Sequence, residues 1–201
     1  MNSMVKPVSE GSWEGFDRVT NILNAFTEKK LANWKISKGE IESNRISKIA
    51  MNIGTNVDEF IRAEINGEKA VKLKTVEAEN CVKAWEKWKV DYDIDSSKLK
   101  TIERLFCKVT GVTGEPDIII PFQEEVLDIK CSGGIRQKNW IQTNWYAEQL
   151  KLPMRSILRL DKNLAIYEYE RRPVCQEDSD VFKALTVVYR YFKQFEKEED
   201  L

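Results

Sequence analysis

The sequence predicts an α/β domain: a mixed central sheet flanked by helices, with helical additions at the N-terminus and a helix at the C-terminus. Three observations lead there. Helical and extended patterns follow one another as helix, three strands, helix and strand through the middle of the chain, the alternation that a sheet covered by helices produces. Two extended runs, Ile118-Ile119-Ile120 and Val126-Leu127 with Ile129, are apolar almost throughout, as in buried strands. The chain has 201 residues, 42% of them hydrophobic, enough for one well-buried core and short of two full domains. Residues 1–201 therefore read as one domain, with an N-terminal helical part at 1–53, a core that carries the chemistry at 54–171, and a C-terminal helix with an acidic tail at 172–201.

Residues 1–16 carry no periodic pattern. Thr20 can cap a helix that runs to about Trp34, and a second helix is expected from about Lys38 to Asn52. Gly54-Thr55 opens a third, in which Val57, Phe60, Ile61 and Ile65 share a buried stripe and Asn66-Gly67 supplies the stop. From Glu77 to Val90, Val82, Trp85 and Trp88 recur near helical spacing, and the aromatics read as core. Strands are expected at about 100–109, 115–120 and 125–131. Gly133-Gly134 makes a flexible turn, and the next helix, Gln137 to Lys151, ends ahead of Pro153. Strands near 155–160 and 164–171 precede a last helix from about Asp178 to Lys197, with Asp178 or Ser179 as cap, and Glu196-Lys-Glu-Glu-Asp200 reads as a solvated tail.

The chemistry concentrates in Gly114-Glu-Pro-Asp-Ile-Ile-Ile-Pro-Phe-Gln-Glu-Glu-Val-Leu-Asp-Ile-Lys130. Side chains alternate along a strand, so Val126, Asp128 and Lys130 share one face while Leu127 and Ile129 point the other way. Ten residues separate Asp117 from Asp128, with 121–125 as the turn, about the length a hairpin needs to set the two carboxylates side by side. Two carboxylate oxygens and a backbone carbonyl suit a hard divalent cation such as magnesium, which keeps its other positions for water and substrate phosphate. A lysine beside them can orient the attacking water and offset charge at a scissile phosphate. Asp-x-Lys alone is usually a solvated charge pair. Here the charges interrupt apolar strands, where a lone charge is costly unless it is paired or metal-bound.

Taken together, these residues resemble the PD-(D/E)XK nucleases, and within them the RecB-like and phage exonuclease branch. Gln142-Thr-Asn-Trp-Tyr146 is similar to the Gln-x-x-x-Tyr signature of RecB-like nucleases, and Gly54-Thr-Asn-Val-Asp58 to the Gly-Thr-x-Val-His that opens their first core helix. The likeness runs roughly from residue 20 to residue 170. It implies the restriction-endonuclease-like fold and a Mg²⁺- or Mn²⁺-dependent deoxyribonuclease, with Asp117, Asp128 and the Ile129 carbonyl on the metal, Lys130 positioning the water and Gln142 hydrogen-bonding at the site. Tyr146 would stack on or hydrogen-bond to a nucleotide, against the plainer reading of a core aromatic, and Gln149 continues the same helix face at i+7.

One departure bears on the metal. The position that is often histidine is Asp58, and the whole chain contains no histidine. Some branches use an acidic residue on that helix as a ligand, so Asp58 is either a third carboxylate for the metal or a solvated helix-face charge. Helical angles put Asp58 at the border of the buried stripe, Glu59 on the opposite side at the surface, and Glu64 within the stripe as a second candidate. Glu115 shares a face with Asp117 and borders the site, while Glu103 reads as surface or structural.

Composition removes other chemistries. Without an imidazole there is no HNH nuclease or HD phosphohydrolase, no HExxH protease and no Ser-His-Asp hydrolase, and neither a Walker A loop nor Gly-x-Gly-x-x-Gly occurs. Cys81, Cys107, Cys131 and Cys175 are widely separated without a CxxC pair, so reduced, partly buried thiols are expected. Some relatives in CRISPR adaptation bind an iron–sulfur cluster through four cysteines; this chain lacks their spacing, and no cluster is expected. No apolar stretch approaches about 18 residues and the N-terminus is polar, which implies a cytoplasmic protein, in the bacterial host cell if phage-encoded, with no membrane partner. Net charge is −1, yet residues 129–160 hold six basic side chains (Lys130, Arg136, Lys138, Lys151, Arg155 and Arg159) against the single acidic Glu148. Such a segment suits phosphate contact, with Arg136, Lys138 and Gln149 as candidates. The favoured function is a metal-dependent DNA nuclease, an exonuclease of phage or bacterial recombination, repair or DNA processing. Its partners would be DNA and a single-strand annealing or other recombination protein, with self-assembly left open. A structure-specific endonuclease and a non-catalytic DNA-binding or assembly protein are the alternatives.

Overall fold

A computed structural model describes residues 15–26 and 29–196. Most of the unpatterned N-terminal stretch, and the acidic tail beyond Glu196, lie outside the described residues. In chain order the elements are β1 (Asp17–Arg18), α1 (Val19–Asn24), α2 (Lys29–Lys38), α3 (Glu40–Ile65), α4 (Val76–Asp91), β2 (Lys100–Thr101), β3 (Leu105–Cys107), β4 (Val112–Gly114), β5 (Ile118–Ile120), β6 (Glu125–Lys130), α5 (Gln137–Leu150), β7 (Met154–Leu160), β8 (Tyr167–Pro173) and α6 (Gln176–Glu196). The main sheet has five strands in the order β2-β5-β6-β7-β8, and three short strands in the order β1-β4-β3 form a second sheet. In the main sheet only β6 and β7 run parallel. This is the mixed α/β architecture expected, with helices on both faces of the main sheet.

Local chemistry explains the central hairpin. Pro121 starts a single 3-10 turn, Pro121–Gln123, and Glu124 follows in the left-handed region at φ 50°, so the chain reverses within four residues. The two apolar runs then pair antiparallel, Ile118 opposite Leu127 and Ile120 opposite Glu125. β6 reaches its parallel neighbour β7 through α5, the crossover that a parallel pair requires.

Both faces of β6 are covered. Leu127 packs with Ile118, Ile120, Leu158 and Leu160 against Val57 and Ile61 of α3 and Trp85 and Trp88 of α4. On the opposite face Val126 meets Val19 and Ile22 of α1, Trp145 and Tyr146 of α5, and Phe182 of α6. Even the first residue of the strand, Glu125, is fully buried, and it accepts hydrogen bonds from Tyr169 Oη at 2.7 Å and Arg171 Nε at 2.5 Å. A buried carboxylate needs such partners, because desolvation of an unpaired charge is prohibitive.

Several boundaries differ from the sequence reading. The helices expected at 38–52 and from Gly54 are one helix, α3, of 26 residues. Gly54 inside it costs about 1 kcal/mol relative to alanine, which burial of Ile53, Val57 and Ile61 against the sheet outweighs. The helix expected from Thr20 to Trp34 is broken into α1 and α2. The strand expected at 100–109 is two: β2 joins the main sheet, then the chain turns a corner and β3 pairs with β4 in the other. β4 itself has only three residues, all buried, too short a run to show a period.

Truncating Leu127 to alanine should cost about 2–5 kcal/mol, since the residue is fully buried between two strands and two helices. Urea unfolding measures it, and an unchanged midpoint would show that this face of the sheet is not the core.

Candidate active site

The hairpin register determines where the carboxylates meet. Pairing runs from Ile120–Glu125 to Ile118–Leu127, so one step further Asp117 stands opposite Asp128. β5 begins at Ile118, and the strand pairing ends there. The Asp117 side chain takes over: its Oδ2 accepts the Ile129 N–H at 2.6 Å. The N–H and C=O of a strand residue point to the same edge, so the Ile129 carbonyl also faces the gap beside Asp117.

Asp128 is 1% exposed. Lys130 Nζ stands 2.6 Å from its Oδ2, a close ion pair along one face of β6. Burial raises the Asp117 pKa to about 6, and the charge of Asp128 adds to the rise against Lys130, the Ile129 N–H and Arg62. Asp128 is raised as well, by burial first, with Lys130 opposing. Burial works against the Lys130 charge too, but Asp128 and Asp117 outweigh it and lift the pKa, so the ammonium form is held.

The third carboxylate is restrained. Arg62 Nε lies 3.0 Å from both oxygens of Asp58, one turn earlier on α3. The same guanidinium donates to the Pro116 carbonyl at 3.2 Å and stands 4.0 Å from Asp117 Oδ1. Arg62 thus sits between Asp58 and Asp117. Burial and then the Asp117 charge raise the Asp58 pKa, with Arg62 opposing. Among the described residues no group of three or more His, Cys, Asp or Glu side chains comes together to hold a metal ion. The donor set assembled at the hairpin is therefore two carboxylates and a carbonyl. Glu64 is committed elsewhere: it accepts from Trp85 Nε1 at 2.9 Å, from Ser96 Oγ at 2.5 Å and from Lys89. Burial raises its pKa, but those hydrogen bonds prevail and leave it lowered.

Gln142 and Tyr146 lie one turn apart on α5, both buried, with Gln142 Nε2 donating to the Tyr146 hydroxyl at 2.8 Å. Burial and the nearby Asp128 charge raise the phenol pKa, so Tyr146 stays protonated. Its ring is seated against Gly114 of β4. A Cβ there would lie 2.6 Å from Tyr146 Cε1 and 3.0 Å from Trp145 Cζ3, so only glycine fits.

Two hollows meet at Asp58, Asp117 and Gln142. One, of about 260 Å³, is lined by Arg18, Thr20, Arg62, Arg104, Glu115 and Tyr146; the other, of about 630 Å³, by Asp128, Lys130, Gly133, Arg136, Lys162 and Trp34. Their basic side chains differ from those expected. Of the six in residues 129–160, only Lys130 and Arg136 line the cleft. Arg155 is 3% exposed and bound to Asp178 at 2.6 Å and to the Trp140 carbonyl, and Arg159 pairs with Asp161 and Glu168. Arg18, Arg62, Arg104 and Lys162, distant in sequence, supply the rest; Arg62 alone had a local signal, its i+4 spacing from Asp58.

Other candidates divide. Lys138 donates to Asn24 Oδ1 at 3.1 Å, towards α1. Gln149 lines a separate hollow with Trp145, Ser179 and Phe182; seven residues past Gln142 the helix has risen about 10 Å, which carries it beyond the cleft. Glu115 borders the site, paired with Arg104 at 2.9 Å, while Glu59 and Glu103 are exposed.

No family model and no curated protein sequence matches the chain. Solved structures do. An alkaline exonuclease from Laribacter hongkongensis, LHK-Exo, is similar at 11% identity over 92% of this chain and 91% of that one, with a TM-score of 0.52. LHK-Exo in complex with dAMP gives 10% identity, 93% and 92% coverage and 0.52. A phage-related exonuclease from Haemophilus somnus gives 15% identity, 92% and 96% coverage and 0.49. The fold implied by the motifs is the fold observed.

Two outcomes follow. Between the ordinary aspartate pKa of 3.8 and about 6 the folded, metal-free protein binds a proton at Asp117 that the unfolded chain does not, so stability falls as pH rises through that window. Asp117→Asn keeps an acceptor for Ile129 and removes the charge, and at pH 8 in EDTA it should be on the order of 3 kcal/mol more stable than wild type, the gain vanishing near pH 4. Thermal melts at both pH values measure this. Gly114→Ala should cost about 1–3 kcal/mol by overpacking Tyr146, read as a lower melting temperature.

Proposed function

We propose, from the PD-(D/E)XK exonuclease fold that this chain carries, that it is a Mg²⁺- or Mn²⁺-dependent deoxyribonuclease that hydrolyses phosphodiester bonds, an exonuclease before an endonuclease. The observation that carries this is the pair of half-buried Asp117 and buried Asp128 beside Lys130, where two hollows with basic walls meet. Within 4.0 Å, Arg62 pairs with Asp58 and reaches Asp117, and Lys130 pairs with Asp128. Carboxylates that raise one another's pKa suit a divalent cation, which would favour their ionised forms.

Asp117, Asp128 and the Ile129 carbonyl would hold the ion, with Asp58 a third carboxylate once Arg62 releases it. Bound there, the metal would polarise the scissile phosphate and lower the pKa of a water. The protein's own groups do the rest. Lys130, held as an ammonium, orients the attacking water and offsets charge on the phosphate; a group so firmly protonated is not the general base. Gln142 fixes the Tyr146 hydroxyl, which can donate to a nucleotide. Arg18, Arg62, Arg104, Arg136 and Lys162 offer phosphate contacts along the strand.

The dAMP bound by the similar LHK-Exo supports DNA as substrate, and the likeness to that alkaline exonuclease supports the exonucleolytic reading, which would suit a place in phage or bacterial recombination, repair or DNA processing. A single-strand annealing or other recombination protein is the partner such a role would call for. Among the described residues no helix is long and apolar enough to cross a membrane, and all four cysteines are free. Free thiols support the bacterial cytoplasm as its compartment.

End-labelled linear DNA and closed circular DNA, incubated with Mg²⁺, Mn²⁺ or EDTA, test the proposal. Cleavage of the linear form only, dependent on metal and reduced at least about a hundredfold in Asp128→Asn and Lys130→Met, is expected. No cleavage with any divalent metal, or full activity in Asp128→Asn, overturns it, and equal cutting of circles makes the enzyme an endonuclease.

A further inference from the structure

Helix α6 carries two apolar faces, and the fold uses one. Phe182, Leu185 and Tyr189 pack towards α5 and α1. Arg190 and Lys193 also turn inward, binding Asp17 at 2.7 and 2.5 Å. Among the described residues nothing covers the opposite face. Val181, Ala184, Val188, Tyr191 and Phe195 follow one another at spacings of three, four, three and four, the period of a helix that packs along another helix. Val181 is 40% exposed, Val188 39%, Tyr191 57% and Phe195 45%, and Val187 and Phe192, at 68% and 61%, widen the stripe. No charged side chain interrupts it between Ala184 and Phe195, since both basic residues of that stretch point to Asp17.

We propose that this face is the seam of a homodimer in which α6 pairs antiparallel with α6 of a second copy about a two-fold axis near Val188. The sizes of the side chains argue for a copy of itself. Small residues, Val181 and Ala184, occupy the first half of the seam, and rings, Tyr191, Phe192 and Phe195, the second. Antiparallel pairing sets each small half against the other copy's bulky half: Val181 meets Phe195, Ala184 meets the Tyr191–Phe192 pair, and Val188 meets itself. That is the reciprocity an isologous interface requires. Parallel pairing would stack ring on ring and leave a gap between the two alanines. Three half-exposed rings with their valines offer on the order of 500 Å² per copy, and about 1,000 Å² for the pair meets the lower bound for a biological interface, that of a dimer that dissociates on dilution. None of the seam residues lines the cleft, so pairing leaves both sites open.

Sedimentation velocity over a concentration series tests the proposal on the full-length protein. Wild type should sediment at twice the monomer mass and dissociate on dilution. Val188→Glu and Tyr191→Glu should be monomeric at every concentration with unchanged circular dichroism, whereas Val109→Glu, a change at a 95% exposed residue away from the seam, should stay dimeric. For orientation, a mixture of Val181→Cys and Phe195→Cys should form a disulfide-linked dimer under air oxidation, and neither alone should exceed the wild-type background. A wild-type protein that is monomeric throughout, or forms a larger ring, overturns the proposal, as does a dimer that survives Val188→Glu. Cross-linking by Val181→Cys alone would show parallel pairing and overturn the antiparallel seam.

Discussion

A single hydrogen bond, from the Ile129 amide to the Asp117 carboxylate, joins the sheet to the candidate site. β5 begins at Ile118, and ahead of it the Pro116 carbonyl accepts from Arg62, while β6 runs on to Lys130. Left unpaired, the Ile129 amide would cost about 1–3 kcal/mol. Asp117 satisfies it with a side chain instead of a backbone carbonyl. The substitution has a consequence for charge: it anchors a second carboxylate beside Asp128. The same bond therefore pairs the Ile129 amide and holds Asp117 in the like-charge pair at the end of the hairpin.

Like charges in a poorly solvated place resist ionisation, and the surrounding residues are arranged around that resistance. Lys130 shares a strand face with Asp128 by simple alternation and is held charged by both aspartates. Arg62 approaches from α3, binding Asp58 and reaching the carbonyl of Pro116. The charges of Asp117 and Asp128 still oppose each other across the hairpin. The acidic end of β6 is different in kind. Glu125 is fully buried but supplied by Tyr169 and Arg171 of β8, so its charge is answered within the fold.

Helix α5 closes the cleft because the chain lets it come close. Gly114 removes the one Cβ that would strike the Tyr146 ring, and the ring in turn lies beside Asp128 with its hydroxyl held by Gln142. Arg155 ties the same helix to the sheet and to Asp178 of α6 from inside the core. Basic residues of one sequence segment are thereby spent on different tasks: Arg155 and Arg159 on structure, Lys130 and Arg136 on the cleft.

Periodicity and turn chemistry alone determined the hairpin, the shared face of Asp128 and Lys130, the placement of Asp117 opposite Asp128, and the one-turn spacing of Gln142 and Tyr146. These are consequences of how a backbone orients its own side chains over a few residues, and so they can be read locally. Tertiary structure decided what stands across from each of them. Asp58 is one turn from Arg62 in sequence, but that Arg62 also reaches Asp117 depends on α3 packing across the end of β5. Glu64 lies on the buried stripe as its helical angle requires, yet it faces Trp85 and Lys89, since the stripe passes from the sheet edge onto α4. The split of residues 100–109 between two sheets, and the walls of the cleft drawn from Arg18, Arg104 and Lys162, are likewise contacts between segments far apart in the chain. A period tells a side chain which way to leave its own backbone, and only packing determines what it meets.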